Sequence, residues 1–516
     1  MKKIVLLVGI IGFQLTTIAQ DSAAVKFANT ITAEDLHKHL SVLASDEYEG
    51  RETGKKGQKM AAEYIRAFFV NNKINPPTKD GYLQPYDIIL ENPTEVNLKI
   101  GQSKLSYLDD FFVFGSVGNY TTYGGFDFRG YGIKDDKYSD FKNEKQNDVA
   151  VIFDGEPRNK DGKSLITDLK EPGSWTNDRN KKKEALLAEG YKMAIIVMSD
   201  FKKWSETYGH YLTSEKTKLA SVEEENQLPT IYVSEETAKK LFIGRYTKEK
   251  LLKKLHRKGT MPTFSEKVIL GAGIKGGVKT GQAENVVGIV EGSDLIDEIV
   301  IITAHYDHIG VDGEEVFNGA DDDGSGTVAV MELAQAFKLA KEAGNGPRRT
   351  MVFMTVSGEE KGLLGSEYYT DNPIFALENT VTNLNIDMIG RVDEAHEGNP
   401  NYVYLIGSDK LSTDLHKISE EAGKEYGLLE LDYTFNDPND PNRFYYRSDH
   451  YNFAKNNIPV IFYFNGVHAD YHKSTDTIEK IDFEKMEKIS RLIFHTAWKI
   501  ANTTERPKVD VENDFE

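Results

Sequence analysis

The sequence predicts an α/β protein: a mostly parallel mixed sheet flanked by helices, with a smaller β-rich module inserted ahead of most of that sheet. Between residues 265 and 505, the strand-like runs "EIVIITAH", "TMVFMTVSGEE", "VTNLNIDMIG" and "IPVIFYFNG" alternate with helix-like segments. Such alternation is typical of a largely parallel sheet with helices on both sides. The first run is almost wholly apolar, as expected of a strand that is covered on both faces. From about residue 80 to 264, short β-prone runs are broken by Gly, Asn and Asp, which indicates a separate module.

Composition and charge narrow the class of protein. A chain of 516 residues is too long for one ordinary domain, and 39% hydrophobic with 28% charged residues is typical of a globular protein. The formal net charge of −19 argues against binding to nucleic acid or to an anionic membrane. The absence of cysteine excludes disulfides, cysteine-ligated zinc and a thiol nucleophile. Any cofactor chemistry must therefore use His, Asp and Glu.

The first element along the chain has the pattern of an export signal. Residues 1–19, "MKKIVLLVGIIGFQLTTIA", combine two lysines, an apolar segment and small residues at the end. The apolar segment is too short for a membrane anchor, which needs about 20 apolar residues. We expect cleavage before Gln20, and a periplasmic or secreted protein that does not insert into the membrane afterwards.

The remaining chain divides into four parts. Residues 20–99 predict helices around a Gly-rich loop, "GRETGKKG", and form the N-terminal part of the main domain. That loop lacks the spacing of a phosphate-binding loop. Residues 100–264 form the inserted module, with strand-like "DVAVIFDG" and "KMAIIVMSD" around a helix-like "KKEALLAEGY". Residues 265–505 complete the main domain, and residues 506–516 are a polar tail that we expect to fray.

The strands of the main domain end in residues that carry chemistry. "IVIITA" runs into His305, "TMVFMTVSG" into Glu359 and Glu360, "TNLNI" into Asp387, and "PVIFYFNG" towards His472. In open α/β sheets, ligands bind in the crevice at the carboxyl ends of the strands. We therefore expect these acids and imidazoles to lie together at one edge of the sheet.

A run of three aspartates, residues 321–323 in "GADDDGSGT", adds to this cluster. Adjacent carboxylates repel one another, and bound cations would cancel that repulsion. Two histidines with several carboxylates and no thiolate suit zinc or a similar divalent ion, and two ions bridged by a carboxylate form a common hydrolytic arrangement. There is no H-E-x-x-H and no G-x-S-x-G, so neither a helix-type single-zinc protease nor a serine hydrolase is supported.

The motifs "HYDHIG", "GADDDGSGT", "GEEKGLLGS", "NIDMIG" and "DYHKSTDT", in this order, resemble the M28 family of zinc peptidases. The resemblance covers most of the chain after residue 19. It implies a zinc-exopeptidase fold, two Zn²⁺ ions per chain and peptide substrates. The region from 100 to 264 resembles the protease-associated (PA) domain that is often inserted in this family, and "LASDEYEGRETGKKG" resembles members that carry this insert.

The resemblance assigns the metal ligands residue by residue. Asp322 matches the carboxylate that bridges both ions. His305 and Asp387 would complete one zinc site, and Glu360 and His472 would complete the other. The family also implies a cis peptide bond after the bridging residue.

Three further residues receive catalytic or supporting roles from the resemblance. Glu359 matches the general base, which takes a proton from the metal-bridging water and passes it to the leaving amine. Tyr471 lies where some relatives have a tyrosine that stabilises the oxyanion. Asp307 matches the acid that orients His305.

Other polar residues near these motifs are candidates for support or for substrate binding. We expect Asp321 to be an acid at the helix entry, and Asp476 to support His472. Arginines could bind a substrate carboxylate. The candidate pocket-lining histidines and arginines are His308, His450, His468, Arg443 and Arg447.

The predicted function is that of an exported two-zinc aminopeptidase, and alternatives stay open. A glutamate-type carboxypeptidase shares the fold and the PA domain, and would need a cationic pocket for a free α-carboxylate. A non-catalytic binding scaffold normally loses metal ligands, whereas all five are present here. A cyclase on this scaffold generally carries one zinc and no insert. The preferred side chain, the native metal and the oligomeric state are not predicted.

Overall fold

The structure is a computed structural model that describes residues 20–114, 121–221, 228–242, 246–427 and 429–513. The predicted signal segment lies outside these residues. The chain forms two compact units: unit 1 comprises Met1–Ile88 and Gly281–Glu516, and unit 2 comprises Ile89–Thr280. The domain limits of 100 and 264, and the assignment of the insert to a PA domain, stay predictions.

The helices follow one another in both units. In unit 1 they are α1 Ser22–Ala28, α2 Ala33–Leu43, α3 Lys56–Asn71, α9 Gly326–Glu342, α10 Leu364–Asp371, α11 Thr413–Tyr426, α12 His450–Ala454 and α13 Phe483–Asn502. In unit 2 they are α4 Ser174–Asn177, α5 Arg179–Ala188, α6 Phe201–Thr213, α7 Glu235–Leu241 and α8 Lys248–Lys258. Within the described residues, no helix combines the length and the apolarity needed to cross a membrane.

Two of the strands, β1 (Leu83–Ile100) and β11 (Leu270–Val290), are long, and the boundaries of the two units fall within them. The strands up to residue 290 are β1 Leu83–Ile100, β2 Ser103–Lys104, β3 Phe111–Val113, β4 Thr121–Tyr123, β5 Phe126–Phe128, β6 Val149–Phe153, β7 Met193–Met198, β8 Lys216–Leu219, β9 Thr230–Ser234, β10 Phe264–Glu266 and β11 Leu270–Val290. The later strands are β12 Leu295–His305, β13 Gly310–Asp312, β14 Glu315–Phe317, β15 Arg349–Val356, β16 Thr380–Ile386, β17 Tyr402–Ile406, β18 Glu430–Asp432 and β19 Val460–Phe464.

Unit 1 is built on a mixed sheet with the strand order β18-β17-β19-β16-β12-β15-β11-β1. The centre is parallel, because β12 pairs with both β15 and β16, and β16 pairs with β19, in the same direction. The pairs β11–β15 and β17–β19 are antiparallel. The predicted fold class, a mostly parallel mixed sheet flanked by helices, is confirmed.

The central strand β12 shows why helices cover both faces of this sheet. Val300 and Ile302 are buried in a cluster with residues of α2, α9 and α13, whereas Ile299 and Ile301 are buried in a second cluster with residues of α10 and α12. Successive side chains of a strand point to opposite faces, so an apolar residue at every position needs a core on each side. The polar residues are therefore left for the strand ends.

The C-terminal tail departs from the sequence-based expectation. Arg506 donates to the carbonyls of Glu378 (2.7 Å) and Thr380 (2.6 Å). Asp510 accepts from the backbone N–H of Thr413 (2.8 Å) and from its hydroxyl (2.6 Å). The expected fraying is wrong for the described part of the tail, because its polar side chains bind the backbone and side chains of unit 1.

Unit 2 has a sheet of its own with the order β10-β5-β6-β7-β9-β3. Its centre, β5 to β9, is parallel, and both outer pairs are antiparallel. Strands β6 and β7 are buried at every position, which matches their continuous apolar sequences "VAVIF" and "MAIIVM".

Candidate metal centre

The predicted site residues of unit 1 lie together at the carboxyl ends of the parallel strands. His305 is the last residue of β12, Asp387 directly follows β16, and Glu359 and Glu360 follow β15. His472 lies in the loop after β19. The four strands are neighbours in the sheet, so their ends deliver these side chains to one edge.

The first half of the site surrounds His305, which is buried. Its Nε2 lies 3.3 Å from Oδ1 of Asp322, 3.7 Å from Oδ1 of Asp387 and 3.9 Å from Oε2 of Glu359. Its Nδ1 lies 3.1 Å from the carbonyl oxygen of Asp307 and 3.7 Å from the carboxylate of that residue. The backbone carbonyl of Asp307 is thus the closer partner of the imidazole, and it leaves Nε2 facing the three acids.

The second half surrounds Glu360. Nε2 of His472 lies 3.2 Å from Oε2 of Glu360 and 3.2 Å from Oδ2 of Asp322. His308, which is fully buried, places its Nδ1 2.8 Å from Oε1 of Glu360 and 3.9 Å from Oδ2 of Asp322. Asp322 therefore turns one carboxylate oxygen towards each half of the site, which is the position that a bridging residue needs.

Asp322 and Asp323 differ in what already occupies their oxygens. Two groups of donor atoms are close enough together to hold an ion: His305, Asp323 and Asp387, and His308, Asp322 and Glu360. The oxygens of Asp323 accept from the backbone N–H groups of Gly326 (2.9 Å), Met388 (3.1 Å) and His305 (3.1 Å). Asp323 is thus held by the backbone, whereas Oδ2 of Asp322 has no aligned hydrogen bond among the described residues and lies 3.2 Å from Nε2 of His472.

The turn that carries these aspartates is held from several sides. The peptide bond between Asp322 and Asp323 is cis, as predicted. Oδ2 of Asp476 accepts from the N–H groups of Asp321 (3.0 Å) and Asp322 (3.2 Å), so Asp476 supports this turn instead of His472. Asp321 accepts from the N–H of Gly390 (2.6 Å) and its other oxygen lies 3.2 Å from Nε2 of His468.

The donor set fits a pair of divalent cations. Among the described residues, the buried atoms without an aligned hydrogen bond include both ring nitrogens of His308, Oδ2 of Asp322 and Oε1 of Glu360, although Nδ1 of His308 lies 2.8 Å from Oε1 of Glu360. Buried polar atoms are normally paired, since leaving one unpaired costs about 1–3 kcal/mol. Nitrogen and oxygen donors without sulfur suit zinc or a similar ion.

Burial and neighbouring charges give the two adjacent glutamates, Glu359 and Glu360, different pKa values. Burial, together with the nearby carboxylates, holds the pKa of Glu359 well above its ordinary value. Burial acts in the same direction on Glu360, but His308 and His472 outweigh it and lower the pKa of Glu360 to about 2. Of the two, Glu359 is the side chain suited to take up and release a proton.

The cavity over the site has an apolar wall and one basic group. It is lined by predicted site residues, by Arg447 and by apolar side chains, which are Met388, Phe444, Phe462, Phe464 and Val467. The half-buried ring of Tyr471 also lines the cavity and stacks on His472 with 3.9 Å between centroids. Burial raises the pKa of Tyr471, so its hydroxyl keeps its proton.

Not all candidate residues reach this cavity. Arg443 lines a different cavity, beside Asp437 and Asp440. His450 is buried against Phe462, and burial lowers its pKa to about 3. The sequence also gave no sign of Ser448, whose hydroxyl donates to Oδ2 of Asp387 (2.7 Å) and accepts from Asn385 (2.8 Å).

Comparison with known proteins identifies relatives of this chain. Residues 285–497 match the family model described as Peptidase family M28. The chain is 27% identical to aminopeptidase YwaD of Bacillus subtilis over 235 residues, which are 44% of this chain and 46% of that protein. It is 29% identical over 218 residues to a protein named probable leucine aminopeptidase of Trichophyton verrucosum, covering 40% of this chain and 56% of that protein. The chain thus spans about half the length of these curated relatives.

A solved structure shares the fold. The aminopeptidase from Aneurinibacillus sp. strain AM-1 superposes with a TM-score of 0.57 at 18% identity, and covers 95% of this chain and 98% of that one.

Proposed function

We propose that this chain belongs to peptidase family M28, whose model residues 285–497 match, and that it is a two-zinc exopeptidase, an aminopeptidase that removes N-terminal residues from peptides. The position of Asp322 carries the proposal. Its two oxygens lie 3.3 Å from His305 and 3.2 Å from His472, on opposite halves of one cluster. The names of the relatives, which include zinc metalloproteases and aminopeptidases, support zinc and this reaction.

In the proposed site, Asp322 would be shared by two zinc ions. His305 and Asp387 would hold one of them, and Glu360 and His472 would hold the other. His308 lies beside the second group and offers a further nitrogen. When bound, the two zinc ions would polarise the scissile carbonyl and acidify a water molecule.

Glu359 acts as the proton carrier in this proposal. It accepts a proton from the attacking water as the new C–O bond forms, and delivers it to the amide nitrogen as the C–N bond breaks. The N–H of Glu359 donates to Oδ1 of Asp307 (3.3 Å), so Asp307 positions the base through its backbone. Tyr471, protonated and facing the cavity, donates to the oxyanion of the tetrahedral intermediate.

The cavity wall favours peptides with an apolar first residue. Phe444, Phe462 and Phe464 present aromatic surface beside the proposed ions, and such surface gains free energy when it buries a substrate side chain. The carboxylates of the site supply the negative charge that an α-ammonium group needs.

A glutamate-type carboxypeptidase is the second candidate, and one observation favours it. Arg447 lines the cavity and its guanidinium lies 5.0 Å from the centroid of the Phe444 ring, on an exposed side chain. A cation in that place could bind the α-carboxylate of a substrate.

The deciding experiment combines metal analysis with three matched peptides. We expect about two zinc ions per chain, cleavage of a free peptide and of its C-terminal amide, and no cleavage of the N-acetylated form. The reverse dependence on the two blocking groups would make the protein a carboxypeptidase that uses Arg447. Folded protein with neither metal nor turnover would leave only a binding scaffold.

We further propose that the protein is exported and that unit 2 is a PA domain. The lysines and apolar run of residues 1–19 support export to the periplasm or the medium. N-terminal sequencing of protein from the outer compartment should start at Gln20. A full-length chain that stays inside the cell would contradict export.

A further inference from the structure

A short segment near the N-terminus, outside the matched family region, lies against the metal centre. We name Arg51, Glu52 and Thr53 the brace. Arg51 is 1% exposed, and its guanidinium donates only to main-chain carbonyls. These belong to Tyr306 (2.8 Å), Leu43 (2.8 Å), Asn318 (2.7 Å) and Gly319 (2.9 Å).

Three of the four acceptors belong to the loop that follows His305 and to the loop that leads to Asp322, which carry two of the five predicted ligands; we call these the two ligand loops. Tyr306 directly follows His305, and Asn318 and Gly319 precede the turn that contains Asp322. One planar guanidinium with several donors in fixed directions therefore sets the separation of the two loops. Lysine, with a single nitrogen, cannot bind carbonyls on both loops and at Leu43 at once.

The charge of Arg51 also matters for the site. Among the residues that the structure describes, no carboxylate lies within ion-pair distance of Arg51, yet Asp307, Asp322, Asp323 and Asp476 are near enough to favour its charged form. A buried cation without a direct acid partner is costly unless a larger field compensates it. Burial lowers the pKa of Arg51, and these aspartates of the candidate metal centre offset only part of that cost.

The backbone around Arg51 is shaped to send its side chain inwards. Glu49, Gly50 and Arg51 have φ values of 49°, 60° and 52°, a left-handed conformation that residues other than glycine rarely adopt. A Cβ on Gly50 would lie 2.3 Å from the carbonyl oxygen of Gly310 and 2.5 Å from that of Phe317, so only glycine fits there. Strained backbone persists where the surrounding contacts determine it, and it concentrates at functional sites.

The other two residues of the brace reach the proposed base. The hydroxyl of Thr53 donates to Oδ2 of Asp307 (2.6 Å), whose Oδ1 accepts from the N–H of Glu359 (3.3 Å). Lys361, which lies two residues after Glu359 in the loop that follows β15, donates to Oε1 of Glu52 (2.9 Å). This contact holds the same loop at a second point.

We propose that the brace is a positioning element: Arg51 holds the two ligand loops in their metal-binding arrangement, and Thr53 positions Glu359 through Asp307. The proposal rests on the proposed two-zinc function. No residue of the brace touches the substrate, so its effects pass through the ligands and the base.

The experiment compares Arg51 with a matched arginine of the same unit. Arg349 is equally buried and donates to the carbonyls of Ile500 (2.7 Å) and Thr503 (2.7 Å), away from the site. Zinc dissociation constants are measured by competition with a chromophoric chelator for Arg51→Lys, Arg51→Met, Arg349→Lys and Arg349→Met. Melting temperatures are measured with and without zinc.

We expect the Arg51 variants to bind zinc about 10- to 100-fold more weakly, with Met worse than Lys, because supporting contacts of ligands have effects of this size. Their melting temperatures should rise less on adding zinc than that of the wild type. The Arg349 variants should melt lower in both states and keep the wild-type zinc affinity. Wild-type affinity in both Arg51 variants, or an equal loss in the Arg349 variants, would overturn the inference.

Thr53 provides a test that does not depend on the folding of the Arg51 variants. Thr53→Val should lower kcat with little change in KM or zinc content, and Thr53→Ser, which keeps the hydroxyl, should restore kcat. Equal kcat in Val and Ser variants would overturn the role of Thr53. A wild-type protein that binds no zinc would instead overturn the proposed function, so the two failures are distinguishable.

Discussion

Both units bury aspartates, but they treat the carboxylates in opposite ways. In unit 2, Asp127 accepts from Arg129 (3.1 Å), Tyr191 (3.0 Å), Ser265 (2.8 Å) and the side chain of Asn147 (2.8 Å). In unit 1, Oδ2 of Asp322 has no aligned hydrogen bond to the residues that the structure describes, and Nε2 of His472 lies 3.2 Å from it.

The difference separates structural charge from functional charge. A carboxylate whose lone pairs are filled by the protein is already neutralised, and it contributes specificity or stability to the fold. A buried carboxylate with an open lone pair, next to open imidazole nitrogens, needs a partner from outside. Burial alone therefore does not mark a site, and neither does a single unpaired atom; at this site several unpaired acid and imidazole atoms lie together.

The largest expected contrast comes from replacing each of these two aspartates with asparagine. Asp322→Asn should lose bound zinc and at least about 10²–10⁴-fold in kcat/KM, the size of effect expected for losing the base alone. Asp127→Asn should destabilise unit 2 by about 3 kcal/mol or more, because Arg129 loses its buried partner, and should keep zinc. Elemental analysis and urea unfolding give the two readouts. Full zinc content in Asp322→Asn would show that Asp322 is not needed to bind the metal, and would contradict the distinction between the two aspartates.

A second contrast lies inside the site, between binding and proton transfer. Glu359→Gln should reduce kcat by about 10²–10⁴-fold, since the amide cannot accept a proton, while zinc content and melting temperature stay near those of the wild type. Glu332→Gln is the control, because Glu332 is a buried glutamate of α9 whose raised pKa, about 8, also arises mainly from burial. A kcat loss of equal size in the control would show that buried acids in general, and not the base, support turnover.

The smallest expected effect concerns pH and a second aspartate of unit 2. Burial raises the pKa of Asp140 from 3.8 to about 6, so between these pH values the folded protein holds this proton more strongly than the unfolded chain does. The contribution of Asp140 to stability therefore falls as pH rises through this window, by on the order of 2–3 kcal/mol.

Asp140→Asn should remove that part of the pH dependence of unfolding. Trp175 and Trp204 lie in unit 2 and Trp498 lies in unit 1, so tryptophan fluorescence in a Trp498→Phe background reports on unit 2. Identical slopes of stability against pH from 4 to 6.5 with and without the substitution, within about 0.5 kcal/mol, would contradict the expectation.

The predicted site residues could be brought together from the sequence because strand ends carry information. An apolar run that stops at His305 or before Asp387 fixes both the strand and the edge that its last side chain occupies. Asp476 could be placed near the site, but not its partner, because a carboxylate near a histidine can accept from any N–H within reach.

Arg51 shows why the rest could not be predicted. Its acceptors are backbone carbonyls, which every residue has. The identities of Tyr306 and Gly319 in the sequence therefore do not predict that they bind Arg51. The same reason hid the docking of the tail through Arg506. The predicted limits of the insert, 100 and 264, stay predictions; the limits of the two units fall within β1 and β11, which continue through them without a break in strand propensity.

The contacts of the brace also limit how early during protein synthesis the candidate metal centre can form. Arg51 binds carbonyls that lie 255 to 268 residues later in the chain. At about 5–20 residues per second, ribosomes need on the order of 15–50 seconds to bridge that interval. The whole of unit 2 is synthesised within it, and His472 emerges later still. A nascent chain that ends before Gly319 therefore lacks a finished brace, and one that ends before His472 lacks the full set of predicted donors.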